Sequence, residues 1–144
     1  LPAISELLAA NGVQMLVNRN VRVRGLPLIG LDDLRSGRPD VVRAFEGIGR
    51  DEAQLVMSHN PRTIALLADR NCIIVAGHTH NGQVHLPLSS FRRTPKDMEG
   101  TPLDGGWFSD GRARLYVSAG LGSVHFPMRF HCPPEIVVYT LRSA

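Results

Sequence analysis

Apolar residues along this chain recur with two periods, and the switches between them predict its elements. Ile4, Leu7 and Leu8 fall at helical spacing and predict a helix over residues 1–10, closed by Asn11-Gly12. Residues 13–17 form a short apolar run that predicts a strand, with Asn18-Arg19-Asn20 as the turn after it. Val21-Arg22-Val23-Arg24 alternates with period two, as a half-exposed strand does, and residues 26–31 continue strand-like toward Asp32-Asp33. Val41, Val42 and Phe45 predict a short helix over residues 40–48 with Asp40 as N-cap. Residues 53–57 then predict an apolar strand, 62–70 a helix and 72–77 a second apolar strand. Further on, Asp110-Gly111 separates two strand-like runs, 105–109 and 112–117, which is a hairpin signal. Residues 135–141 predict a last strand, and residues 91–101 form the most polar connector.

Strand, helix and strand in succession predict α/β (α+β) character, and 144 residues suit one domain. At 43% hydrophobic and 20% charged, the composition is that of a globular domain. The net charge of +3 is small and dispersed, with no Lys/Arg run, so no nucleic-acid partner is expected. Cys72 and Cys132 are the only cysteines, too few for a disulfide framework; Cys72 opens an apolar strand and reads as a packed thiol. No apolar run approaches membrane-spanning length, and no signal peptide is visible.

Histidines stand where chemistry would sit. His59 follows the strand at 53–57, and His78 and His80 follow the strand at 72–77. Ligands gather beyond the carboxyl ends of strands in α/β sheets, so parallel neighbours would bring the three rings to one crevice. Neutral imidazole binds Zn, Mn and Fe, and Gly77 and Gly82 would let the backbone wrap closely. Spacing alone also permits a plainer reading, in which the rings are surface or capping neighbours. His85, His125 and His131 are expected at the surface or in loops. Ser58 beside His59 lacks a G-x-S-x-G elbow and does not suggest a serine nucleophile. Gly120-Leu121-Gly122 lacks the third glycine of a dinucleotide fingerprint.

Ser58-His59-Asn60-Pro61 followed by Gly77-His78-Thr79-His80-Asn81-Gly82-Gln83 resembles the C-terminal half of the calcineurin-like metallophosphoesterases. The tail from Tyr116 to Gly122, then from Pro127 to Glu135, narrows the resemblance to the bacterial branch of YkuE-like and UDP-2,3-diacylglucosamine pyrophosphatase-related enzymes. The resemblance runs from about Leu7 to Leu141. It implies half of a four-layer αββα sandwich and a site for two divalent metals, Mn, Fe or Zn. It makes His59 and His78 ligands of the second metal and His80 a ligand of the first. The metals of such a site clamp a phosphoryl oxygen and activate a water. The implied substrate is a phosphorylated small molecule or a lipid-linked pyrophosphate.

The family's D-x-H, G-D-x-x-D/N and G-N-H-D/E motifs are not in this sequence. The resemblance therefore implies one partial domain, beginning shortly after G-N-H-D, without the bridging carboxylate. No catalytic acid or base is assigned within the chain. Asn81 stands where the family has glycine, a mild departure because asparagine tolerates left-handed backbone. Asp32, Asp33 and Asp40 are expected in loop or capping roles, with one of the first two in reach of the crevice as the lesser reading. Arg129 is a candidate phosphate contact, or equally a structural salt bridge. Two functional readings follow: a metal-dependent phosphoester or pyrophosphate hydrolase, incomplete as it stands, or a non-catalytic half-domain that binds metal weakly or pairs with another chain. An exposed sheet would favour self-association. Location is open between the cytoplasm and the membrane periphery.

Overall fold

Four parallel strands give the fold its direction. The computed structural model describes residues 2–85, 92–93, 103–125 and 127–142. In chain order these form α1 (Pro2–Ala10), β1 (Arg19–Val23), β2 (Leu26–Gly30), α2 (Val41–Ala44), β3 (Gln54–Met57), a 3-10 turn (Pro61–Leu66), β4 (Cys72–Ala76), a second 3-10 turn (His80–Gly82), β5 (Val84–His85), β6 (Arg92–Arg93), β7 (Gly106–Asp110) and β8 (Ala113–Val117). One six-stranded sheet runs β1-β2-β3-β4-β8-β7, and β5 pairs with β6 separately. The β2-β3, β3-β4 and β4-β8 pairs are parallel, while the two outer pairs are antiparallel hairpins. This is the expected α/β class: a mixed sheet with few helices. Among the described residues no helix is long and apolar enough to cross a membrane.

Alternation decides which face is covered. Ile29, Val56, Ile74, Leu115 and Val117 are fully buried and project to one face, where Ala44, Phe45, Ile64 and Leu67 pack over them. The intervening residues of β3 and β4, including Leu55, Met57, Ile73 and Val75, lie on the other face and are only partly covered or exposed. Trp107 there is 59% exposed.

Three expected elements differ. Residues 13–17 form no strand: they cross the open face, and Leu16 lies so close to Gly30 that a Cβ on Gly30 would fall 2.1 Å from the Leu16 carbonyl oxygen. Gly30→Ala is accordingly expected to cost about 1–3 kcal/mol through this backbone clash, read as a lower denaturant midpoint at unchanged slope. Residues 135–141 form no strand either. Val137 and Tyr139 lean on the open face, and Tyr139 stacks edge-on against Tyr116 at 5.9 Å, so the segment lies across the sheet instead of beside an edge. The helix expected at 62–70 is the 3-10 turn Pro61–Leu66. Asn60 caps it, its side chain accepting from Arg62 N at 3.0 Å, while the Thr63 hydroxyl bonds back to Asn60 O and holds the tighter turn. The short helix at 40–48 is confined to α2, with Asp40 capping as expected through Arg43 N at 3.0 Å. The connector at 91–101 lies outside the described residues apart from β6.

Candidate metal centre

Parallel pairing puts the ends of β2, β3, β4 and β8 side by side, and the site is built there. Beyond β3, Ser58 N bonds Val75 O at 3.1 Å, and Gly77 N bonds His59 O at 3.2 Å. The strands thus stay in register for two residues past their ends, which brings His59 beside His78. His78 Nδ1 lies 2.9 Å from His59 Nε2, and the rings meet edge-on with centroids 4.7 Å apart. Burial holds the His78 imidazole below its ordinary pKa, and the neighbouring His59 ring pushes the same way. Both effects favour the neutral imidazole, the form that binds metal.

The loop after β4 bends through left-handed backbone at residues that are not glycine. His78, His80, Asn81 and Gln83 have φ of 74°, 53°, 50° and 52°. Such conformations cost about 1 kcal/mol or more each and cluster at functional sites. Asn81 takes the left-handed form expected of it. His80 has a different partner from the other two rings. Its Nδ1 lies 3.0 Å from the Gly122 carbonyl and 3.4 Å from Arg129 Nη2, and the closer carbonyl, which only accepts, favours a donating Nδ1. Of the three histidines, then, two meet directly and the third is fixed separately by the loop after β8.

That loop is held from two sides. Arg129 donates through Nη2 to Ala119 O at 2.6 Å, Gly122 O at 2.6 Å and Gly120 O at 3.2 Å. Its Nε reaches Gly122 O at 3.0 Å and its Nη1 reaches His80 O at 3.3 Å. Among the described residues the guanidinium's partners are loop carbonyls and Cys132, so it braces the loop beside His80. From the other side, the Glu135 carboxylate accepts from Tyr116 OH at 2.6 Å, Ser118 Oγ at 2.9 Å and Ala119 N at 2.9 Å. Sequence reasoning missed Glu135; its position just after Pro133-Pro134, where a rigid turn aims one side chain, was the available signal.

The donor set suits a borderline divalent cation, since imidazole nitrogens about 3 Å apart either share a proton or face one ion. Yet among the described residues no three His, Cys, Asp or Glu side chains close on a common point. The close imidazole nitrogens of His59 and His78 would supply part of a metal site and no more.

Comparison with known proteins bears on what this geometry serves. Over 119 residues the chain is 32% identical to the metallophosphoesterase YkuE of Bacillus subtilis, covering 82% of this chain and 41% of that protein. It is 31% identical over 145 residues to the UDP-2,3-diacylglucosamine pyrophosphatase LpxG of Chlamydia muridarum, covering 95% of this chain and 44% of that one. The phosphodiesterase YaeI of Escherichia coli is 29% identical over 143 residues, with 96% and 51% covered. The chain is a homologue of the metallophosphoesterases. It spans about half the length of these relatives or somewhat less. No family model matches the chain, and no solved structure matches it.

The other residues of this metallophosphoesterase homologue that the sequence singled out fall as follows. Ser58 Oγ is buried against Thr63 Oγ1 at 2.6 Å, away from any role as a nucleophile. Asp32 accepts from Asp33 N and Arg38 N, both at 2.9 Å, and so ties up its own loop. His85 is half-buried in β5, with Nε2 2.6 Å from Asn81 O, instead of at the surface. His125 and His131 are exposed in loops. Both cysteines are buried free thiols, and burial pushes Cys72 up to about 11. Tyr116 donates to Glu135, which holds that carboxyl below its ordinary value despite some burial; Ala119 N and Ser118 add to the effect. A lowered carboxyl pKa contributes stability above its unfolded value, about 4.3, that is lost as pH falls through the folded value. Glu135→Gln is thus expected to flatten the acid limb of the stability profile below about pH 4.3, measured by thermal melts across pH.

Proposed function

We propose that this chain is one partial metallophosphoesterase domain, the histidine-bearing part of a metal-dependent phosphoester or pyrophosphate hydrolase. The reading is carried by one observation: His59 Nε2 and His78 Nδ1 stand 2.9 Å apart beyond the ends of adjacent parallel strands. His59 and His78 would hold one divalent cation, Mn, Fe or Zn, and His80 would offer Nε2 to a second. Bound metal supplies Lewis acidity toward a phosphoryl oxygen and lowers the pKa of a bound water. The chain's own residues do the remaining work. Burial favours the neutral form of His78, Gly122 O favours a donating Nδ1 on His80, and Arg129 and Glu135 hold the loop that carries this carbonyl. The substrate class is a phosphorylated small molecule or a lipid-linked pyrophosphate, the second suggested by the name of the chlamydial relative.

The full-length protein is expected to hydrolyse an aryl phosphodiester in the presence of Mn²⁺ and to lose that activity to a chelator. No metal-stimulated hydrolysis across mono-, di- and pyrophosphate esters would sink the reading. A second reading has its own observation, since no third ligand closes on the histidine pair among the described residues. Under it, the chain alone binds metal weakly or works paired with another chain through its open sheet face. Sedimentation of the isolated chain separates the cases: the paired reading predicts self-association that Trp107→Glu, on that face, weakens.

A further inference from the structure

Two segments that read as strands in the sequence lie over the open face of the sheet without a ladder. In residues 135–141 exposure alternates: Ile136 and Val138 are 77% and 86% exposed, whereas Val137 is half-buried and Tyr139 rests edge-on against Tyr116. That period is the period of extended backbone. The run Ile136-Val137-Val138-Tyr139 is apolar on both sides, the composition of a strand covered on two faces. Glu135 N bonds Gly120 O at 3.0 Å, but among the described residues 136–142 make no backbone–backbone hydrogen bond. Residues 13–17 repeat the pattern. Leu16 presses on Gly30 while Met15 and Val17 are exposed, and after Val13 N, which bonds Leu8 O at 2.9 Å, residues 14–17 have no backbone partner among the described residues. An extended apolar segment with free N–H and C=O groups is a template to which another strand adds.

The two segments are not neighbours. Leu16 lies over β2 and Tyr139 over β8, with β3 and β4 between them. Three strand spacings of about 4.8 Å put them about 14 Å apart, too far to pair with each other and far enough to admit a further strand. The floor of the gap includes Met57 and Val75, which are apolar and incompletely covered.

We infer that residues 14–17 and 136–141 belong to a second sheet laid over the open face, completed between them by at least one strand of the full-length protein from outside these 144 residues. The inference deepens the partial-domain reading above and rests on it. Length supports that source: the chain covers 41%, 44% and 51% of YkuE, LpxG and YaeI, so a chain of their size has as much again to contribute. A second copy of this chain suits the gap less well, since it offers the same two segments, each already seated on its own sheet.

The test is amide hydrogen exchange of the full-length protein, read at residues 14–17 and 136–141 over a range of protein concentrations, with metal-stimulated hydrolysis assayed on the same preparation. A strand paired on one side protects every second amide, and exchange there is expected to slow by about a hundredfold or more relative to unstructured chain, equally at every concentration. Exchange as fast as in unstructured chain at either segment overturns the inference. Protection that appears only on concentrating the protein assigns the added strand to a second copy and overturns it as well. Protection without hydrolysis supports the second sheet and sinks the proposed activity, whereas hydrolysis without protection overturns the second sheet alone.

Discussion

His78→Gly is expected to make the protein more stable and to remove the metal-dependent activity proposed above for the full-length protein. The backbone at residue 78 sits at φ 74°, a region that glycine occupies freely and histidine does not. Relief of that strain is worth about 1 kcal/mol. The lost ring contacts offset little of it, because the principal partner is another imidazole, His59, at 2.9 Å. The same change deletes one of the two adjacent ring nitrogens, and metal-stimulated hydrolysis should fall by more than about a hundredfold, beyond the loss typical of an outer-shell partner. Denaturant unfolding and a metal-titrated phosphodiester assay on the same preparation test both halves. A variant that gains stability and keeps its activity would show that the strain at His78 has no connection with metal. Strain retained at a histidine, where glycine would be easier, is the pattern of a site kept for function at the expense of stability.

Arg129→Ala is expected to be the most destabilising single change in the loop region, by about 3 kcal/mol or more. Hydrogen bonds from a charged donor contribute about 1.5–3 kcal/mol, and the guanidinium serves Ala119, Gly120, Gly122 and His80 carbonyls at once. Arg129→Lys should recover little, since one ammonium cannot reproduce a planar fork spread over several acceptors. Amide exchange at residues 118–124 would locate the loss: protection should fall there first, while β3 and β4 stay protected. A phosphate-binding arginine would behave oppositely, with a raised KM and unchanged melting.

The sequence was legible wherever a side-chain pattern reports the backbone. β3 and β4 are runs of apolar residues, and the Asp110-Gly111 signal falls at the β7-β8 hairpin, whose turn is Gly111-Arg112, one residue later, so all four strands are found close to where the pattern puts them. Residues 13–17 and 135–141 have the same composition without the ladder. Apolar alternation reports that one side of a segment is covered; it does not report that a neighbour offers free N–H and C=O groups. Leu16 and Tyr139 are covered because they lie over the sheet, a placement decided by distant residues such as Gly30 and Tyr116. The same limit governs the site. His59 and His78 were legible as a pair because each follows a strand and the strands are neighbours. The separate orientation of His80 was not, since it depends on a run of left-handed backbone and on the carbonyl of Gly122, 42 residues away. The Arg129 bonds to loop carbonyls were not legible either, because carbonyl acceptors leave no trace in a residue pattern.

The pairing of β4 with β8 has a kinetic consequence. Ile73 meets Arg114 across a long intervening stretch, whereas β2, β3 and β4 follow one another at short separations and can assemble first. His59 and His78 belong to that early part. His80 receives its anchor only after the long loop closes and delivers Gly122 and Arg129, a step whose entropic cost grows with loop length. In refolding, the histidine pair is therefore expected to form before the contacts that fix the third ring, which pulsed amide exchange would show as earlier protection in β3 and β4 than at residues 118–124.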